Sequence, residues 1–346
     1  MVTNIKMASE KKLNRGRRRA SGNVGGETIV VEAAWLYYHE GLNQSVIAER
    51  LGVSRATVVN YLQEARTKGY VKTALADSVF TEHHRALELS KRFRLQASYV
   101  VYDGRDDDET LKRVARGAAE WLPHLLAPSD KLGVAWGQTI YKVAEACETN
   151  RAFDLEVIQL VGSMLTPYGF SSDSCSTILA DRLSAKCVNL HTPAILTSDT
   201  LAESLRNEPI IKSQLDRIAT CNKAIFAAGS CDTESHIVSS GIATLDDLAA
   251  YRNAGAVGVI CGRFVDCDGR PVAGDLNNRI MGVELENLKG LDLGLLVSIG
   301  KEKVKPMLAA IRGGYVTHLV TSLSTAEIML ASTEEGSGDP GVFGEE

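Results

Sequence analysis

The chain has 346 residues, 45% of them apolar, 23% charged and 6% aromatic, which excludes disordered, collagen-like and disulfide-framework classes and leaves an ordinary globular protein of about two domains. No apolar run reaches the roughly 18 residues that a membrane helix needs, and a stretch such as 254–262 is diluted with glycine. The net charge is −5, yet residues 1–76 hold twelve lysines and arginines against six glutamates, so a surplus of six at the amino end leaves −11 on the rest.

A basic amino end on an acidic body suits a chain whose first module meets a polyanion while the remainder stays apart from it. The basic start runs into Ala20–Gly26 rather than an apolar block, so no signal sequence is expected and the cytoplasm is the expected compartment. Seven scattered cysteines, none in a C-x-x-C pair, read as reduced structural thiols rather than metal ligands or disulfides.

Residues 1–26 form a basic arm, with six positive charges between Lys11 and Arg19, too polar to fold alone and expected to order along phosphates. From Glu27 the apolar spacing of Ile29, Val30, Ala33, Ala34, Leu36 and Tyr37 predicts a helix that ends at Gly41. Gln44 to Tyr61 reads as a helix-turn-helix: Ala48 suits a close helix contact, Gly52 supplies the positive φ of the turn, and Ser54 caps the second helix. Ile47, Leu51, Val53, Val58 and Tyr61 then face inward. Outward lie Ser54, Arg55, Ala56, Thr57 and Asn60, the residues predicted to contact double-stranded DNA in the major groove. Arg55 suits guanine, Asn60 adenine, Ala56 a thymine methyl, and the two hydroxyls suit phosphates. The module spans 27–76 and is expected to be winged, with the wing after Gly69.

Residues 77–93 read as a linker helix in which His83 and His84 are an exposed pair rather than metal ligands. From 94 to 332, strand-like runs alternate with helical ones: strands at Ala97–Val101, Lys131–Ala135, Leu155–Val161, Ala224–Ala228, Ala256–Cys261, Leu293–Ile299 and Tyr315–Thr321, helices at Thr110–Leu126, Thr139–Glu148, Ser176–Lys186, Leu245–Asn253 and Val304–Gly313. The alternation predicts an α/β fold, a Rossmann-like parallel sheet with helices on both faces and ligands at the carboxyl ends of the strands. Residues 333–346 read as a flexible acidic tail.

Two loops follow strands and open helices. Gly133 to Thr139 offers an anion cradle at Gly137, Gln138 and Thr139, and Ser298 to Lys303 offers a glycine turn at Gly300 with Lys303 behind it. Neither G-x-x-x-x-G-K-[ST] nor G-x-G-x-x-G occurs, which counts against ATP and dinucleotides. A third candidate, Gly262 to Gly269, carries Arg263 and Asp266 as residues that can face a polar ligand. No catalytic triad, carboxylate pair or metal cluster stands out, so no catalytic residue, cofactor or metal is expected.

Taken together, Leu51-Gly-Val-Ser-Arg-Ala-Thr-Val58, Gly133-Val-Ala-Trp-Gly-Gln-Thr139, Gly255-Ala-Val-Gly258, Gly262-Arg-Phe-Val-Asp266-Cys-Asp-Gly269, Gly300-Lys-Glu-Lys303, Leu319-Val-Thr-Ser322 and Ala326 resemble the SorC family of bacterial transcriptional regulators, also called DeoR-type sugar-binding regulators, over roughly Glu27 to Ser332. The resemblance implies an effector domain of the glucosamine-phosphate deaminase, ribose-phosphate isomerase and CoA-transferase type that lacks catalysis, binds a phosphorylated sugar and assembles as a homo-oligomer, a dimer or commonly a tetramer. It implies that Gln138 and Thr139 lie near one phosphate position, Lys303 near a second, and that Asp266 holds sugar hydroxyls. The chain departs from the family in carrying Gln138 where arginine is frequent, Ser298-Ile299 for Ala-Gly, Ala228-Gly-Ser230 for a Gly-Ile-Gly-like turn, and Ser322 for aspartate. These departures leave open a phosphate at both ends of the ligand, at one end or at neither.

The expected function is thus a sequence-specific regulator of a carbohydrate or polyol catabolic operon, whose hold on operator DNA responds to a sugar, polyol or sugar phosphate. The alternatives are a sugar-phosphate isomerase or deaminase that carries a DNA-binding module, and a sequence-indifferent architectural protein.

Overall fold

The computed structural model describes residues 24–71, 75–148, 154–164 and 169–332. The arm through residue 23 and the tail from 333 lie outside the described residues. The chain divides into two compact units, Met1–Leu75 and Ala76–Glu346.

The first unit has helices α1 (Val24–Tyr38), α2 (Gln44–Leu51) and α3 (Arg55–Thr67). Residues 24–26, assigned to the arm from sequence, already belong to α1. Asn43 starts α2 by accepting the Ser45 and Val46 N–H groups at 3.0 Å each, which satisfies donors that have no partner inside the helix. Gly52, at φ 66°, ends it in the left-handed conformation, where a side chain would be strained. Val30, Ala33, Ala34, Leu36, Ile47, Ala48, Val58, Leu62 and Ala65 form the core, with Leu51, Val53 and Tyr61 partly buried against it. No strand occurs among the described residues of this unit, so the expected wing is not among them.

The second unit begins with α4 (Ser78–Thr81) and α5 (His84–Phe93). The stretch read as a linker is therefore two helices bound into this unit. Phe80 stacks on Tyr99 at 4.7 Å, Ala86 and Leu89 are fully buried, and Ser90 donates to Ser98 at 3.0 Å. The polar residues between these anchors masked their period. His83 caps α5 by accepting the Arg85 N–H at 3.3 Å.

There follow β1 (Ala97–Val101), α6 (Asp107–Trp121), β2 (Lys131–Val134), α7 (Gln138–Ala146), β3 (Glu156–Gln159), α8 (Ser172–Leu183), β4 (Lys186–Val188), α9 (Asp199–Asn207), α10 (Pro209–Ile218), β5 (Lys223–Phe226), β6 (Ala228–Gly229), α11 (His236–Ser239), α12 (Leu245–Asn253), β7 (Gly258–Ile260), β8 (Arg263–Val265), β9 (Leu293–Val297), α13 (Val304–Arg312), β10 (His318–Ser322) and α14 (Leu323–Ala331). Seven strands form one sheet in the order β1-β10-β9-β5-β2-β3-β4, every neighbouring pair parallel. Alternate strand residues enter two cores, as a sheet covered on both faces requires. Ala224, Phe226, Leu296 and Leu319 pack with α5, α13 and α14, whereas Ile225, Leu295, Val297 and Val320 pack with α6, α7 and α8.

The Ala256–Cys261 run, expected as one of the parallel strands, instead forms β7 of a separate antiparallel ribbon, β6-β7-β8. Cys261 and Gly262, at φ 49° and 82°, turn the chain back at once, and such a turn joins antiparallel neighbours.

A polar clamp fastens the amino ends of the central strands. The Asp130 carboxylate meets Lys223 Nζ at 2.7 Å and accepts the Ala127 N–H at 2.6 Å and Asn222 Nδ2 at 2.9 Å. Asn222 in turn accepts the Lys131 N–H at 2.8 Å and donates to Asp292 at 3.1 Å, so β2, β5 and β9 are tied below the sheet.

Candidate functional site

In the first unit, Ser54 caps α3 by accepting the Thr57 N–H at 3.0 Å, and its hydroxyl lies 2.8 Å from that of Thr57. The cap holds the start of α3 open to solvent, with Ser54, Arg55, Ala56 and Asn60 exposed and Thr57 half-buried. The five residues predicted from the sequence thus share one end of one helix. Arg55 donates to Gln44 at 3.3 Å, which aims its guanidinium across the mouth of the two-helix motif. Val59 and Gln63 complete the exposed stripe. A stripe with a guanidinium, an amide and an exposed valine offers hydrogen bonds to base edges and an apolar contact for a thymine methyl.

In the second unit, a cavity of about 560 Å³ opens where β2, β5, the ribbon and the start of α13 converge. Gly137, Gln138, Thr139 and Lys303 line it together, although they come from loops 160 residues apart in sequence. Gly137, at φ 134°, precedes α7 and gives it no side-chain cap, so the first N–H groups of that helix keep their partial positive charge for another acceptor. Gly300 falls instead in an adjoining cavity of about 570 Å³ that shares Gln138, Glu302 and Lys303 with the first. Burial pushes the Lys303 ammonium to a lower pKa, opposed by the neighbouring Glu302 carboxylate.

Asp266 does not reach this cavity. Its Oδ1 accepts the N–H groups of Asp268 and Arg270 at 2.9 Å each, so the carboxylate expected to hold sugar hydroxyls holds the turn after β8. Arg263 is likewise structural: it is buried and donates to the Val283 carbonyl at 2.9 Å and to Glu284 at 2.6 Å.

Ser230, Asp232, Glu234, Ser235 and His236 form a further wall that residue-by-residue reading missed, with Trp136 beside Gly137. The Ser235 hydroxyl is buried and finds no hydrogen-bond partner among the described residues. Burial, reinforced by Lys303, pushes the His236 imidazole to a lower pKa, so it is neutral at pH 7. Segment 230–237 has neither strand nor long-helix periodicity. Its only signal is that it follows β5 and β6, at the ends where parallel sheets place ligands.

Residues 77–331, most of the chain, match the family described as "Putative sugar-binding domain", and residues 33–78 match the MarR family. The chain is 37% identical to the transcriptional regulator YjhU of Escherichia coli over 91% of its own length and 98% of the relative's. It is 28% identical to the deoxyribonucleoside regulator of Bacillus subtilis over 88% and 97% of the two chains. Among solved structures, the full-length sorbitol operon regulator SorC of Klebsiella pneumoniae superposes with a TM-score of 0.75 at 23% identity, covering 88% of this chain and 98% of that one. A helix-turn-helix precedes a parallel-sheet sugar-binding domain in one continuous match, and the chain belongs to the SorC-type family of sugar-binding transcriptional regulators.

Proposed function

We propose that the protein is a sequence-specific regulator of an operon for carbohydrate or polyol catabolism, which reads operator DNA through α3 and responds to a small polyhydroxylated effector in the cavity between α7 and Lys303. The observation that carries this reading is the convergence of Gly137, Gln138, Thr139 and Lys303 on one cavity, in a chain whose first unit presents Arg55 and Asn60 outward. The cavity binds its ligand without turnover, in keeping with relatives that are named as regulators. The protein works in the cytoplasm as a dimer or tetramer, because two helix-turn-helix units on paired half-sites multiply specificity.

An effector acts only through a difference in its affinity for the DNA-competent and incompetent states. A coupling of about 1–3 kcal/mol changes operator affinity roughly 5–150-fold. The test is operator binding by full-length protein with and without compounds that raise its melting temperature. A compound that stabilises the protein and shifts operator affinity supports the reading. Stabilisation with no effect on the operator refutes it, as does turnover of the compound. Lys303→Ala is expected to weaken the effector response at least tenfold in concentration, measured as the midpoint of operator release. Arg55→Ala is expected to cost about 1–3 kcal/mol of operator affinity and to relax discrimination at one base pair, read by binding to a set of single-base operator variants.

A further inference from the structure

We infer that the cavity is built for a polyhydroxylated effector that carries no phosphate, a specification that rests on the regulator reading above. The charges that line the cavity are the carboxylates of Asp232, Glu234 and Glu302 against the single lysine Lys303, with no arginine among the described lining residues. His236 adds no positive charge, because burial and Lys303 keep it neutral. Lys303 already has Glu302 as a neighbouring counter-charge. A phosphate monoester would therefore bring close to two negative charges into a cavity whose own balance is two negative.

The uncapped start of α7 offsets only about half a charge. Asp232, Glu234 and Glu302 are exposed and hence screened, yet a like charge a few ångströms away still costs about 1 kcal/mol even at the dielectric of water and more inside the cavity.

What the cavity supplies in quantity is neutral hydrogen bonding. Thr139, Ser230, Thr233, Ser235, Gln138 and His236, all neutral hydrogen-bonding residues, line it, and the Ser235 hydroxyl is buried with no partner among the described residues. A buried hydroxyl left unpaired is unfavourable, and a ligand hydroxyl would satisfy it. Carboxylates can accept from sugar hydroxyls, and Trp136 adds an aromatic residue to the lining. Where the family resemblance implies a phosphorylated sugar, this lining selects the unphosphorylated one.

The experiment titrates full-length protein, followed by melting temperature and by release of an operator fragment, with pentoses, hexoses and their alditols, with the phosphate monoester of each, and with inorganic phosphate. At least one unphosphorylated compound is expected to bind and to release operator, its own monoester binding at least about tenfold more weakly, which corresponds to about 1.4 kcal/mol. Inorganic phosphate is expected to leave the melting temperature unchanged. The double variant D232N/E234Q, changed only at exposed positions, is expected to narrow the gap between parent and ester.

An ester that binds as well as or better than its parent, stabilisation by inorganic phosphate, or a gap unmoved in the double variant each overturns the inference. An ester that binds more tightly and releases operator overturns only this inference and leaves the regulator reading standing. If no compound in any set binds or releases operator, the sugar-responsive reading and this inference fall together.

Discussion

Asp130→Ala is expected to destabilise the second unit by about 3–5 kcal/mol, the cost of leaving a buried charge without its partner, which lowers its melting temperature by roughly 10 °C. Asp130 and Lys223 are 8% and 12% exposed in their side chains, so the lysine has little water to turn to once the carboxylate is gone. Restoring an apolar neighbour with D130A/K223M is expected to recover most of the loss, since a buried pair exchanged for packed apolar groups is often neutral. Recovery distinguishes an orphaned charge from a collapsed strand end. Burial pushes the Asp130 carboxyl upward, but the bonds from Lys223, Asn222 and the Ala127 N–H outweigh it, and the net shift is downward. A carboxyl lowered in the folded state contributes stability above its unfolded pKa of about 4, and that contribution is lost as pH falls through the folded value. Asp130→Asn is therefore expected to remove a component of the acid-side decline, measured as urea-unfolding free energy between pH 7 and pH 3. Because the clamp lies at the amino ends of the strands and the cavity at the carboxyl ends, effector affinity of the folded variant should stay as in the parent.

The second large effect is on DNA. With about six phosphates neutralised, the logarithm of operator affinity is expected to fall with the logarithm of salt at a slope near −5, a loss of about a thousandfold between 50 and 200 mM. Residues 1–76 carry the surplus of six positive charges and the remainder carries −11, so the slope should belong to the amino-terminal part. Deleting residues 1–20 removes seven basic residues and one acidic residue, and it is expected to flatten the slope and weaken all DNA sequences alike. A loss confined to the operator would assign base reading to the arm, and a flat slope in the intact chain would reject nucleic acid as the partner.

Much of this arrangement was legible wherever a residue's local pattern and its tertiary surroundings agree. β1 runs from Ala97 to Val101 and α12 from Leu245 to Asn253 as predicted, the first because its apolar residues are buried on both faces of the sheet, the second because Thr244 and Asp247 close a capping box. The turn and second cap of the helix-turn-helix were readable for the same reason, since Gly52 and Ser54 act on bonds three or four residues away, whereas the Asn43 cap of α2 was not read. The α9 and α10 helices and the three-residue edge strand β4 were not read from the sequence. In β4 only Val188 is even half-buried, so it has no apolar signature. The ribbon strand β7 has that signature and was given the wrong sheet, because an apolar run reports burial but not the direction of its partner. In the cavity, Gly137, Gln138, Thr139 and Lys303 were found because strand ends and helix starts mark themselves. Asp266 misled because a carboxylate in a glycine-bearing turn looks the same whether it holds a ligand or its own backbone. Ser235 carried no mark at all; only its buried oxygen, without a partner among the described residues, singles it out.

The two sides of the cavity differ in how they are held. Gly137 and Thr139 stand at the end of a seven-stranded sheet that is packed on both faces and clamped from below, whereas Gly229, Val259 and Cys261 stand in or beside a ribbon of three short strands. One wall is thus an anvil and the other a leaf spring: any adjustment to an incoming molecule disturbs fewer hydrogen bonds on the ribbon side. Amide exchange is accordingly expected to slow on effector binding most at Gly229 and Val259, and to change little along β2 and β5.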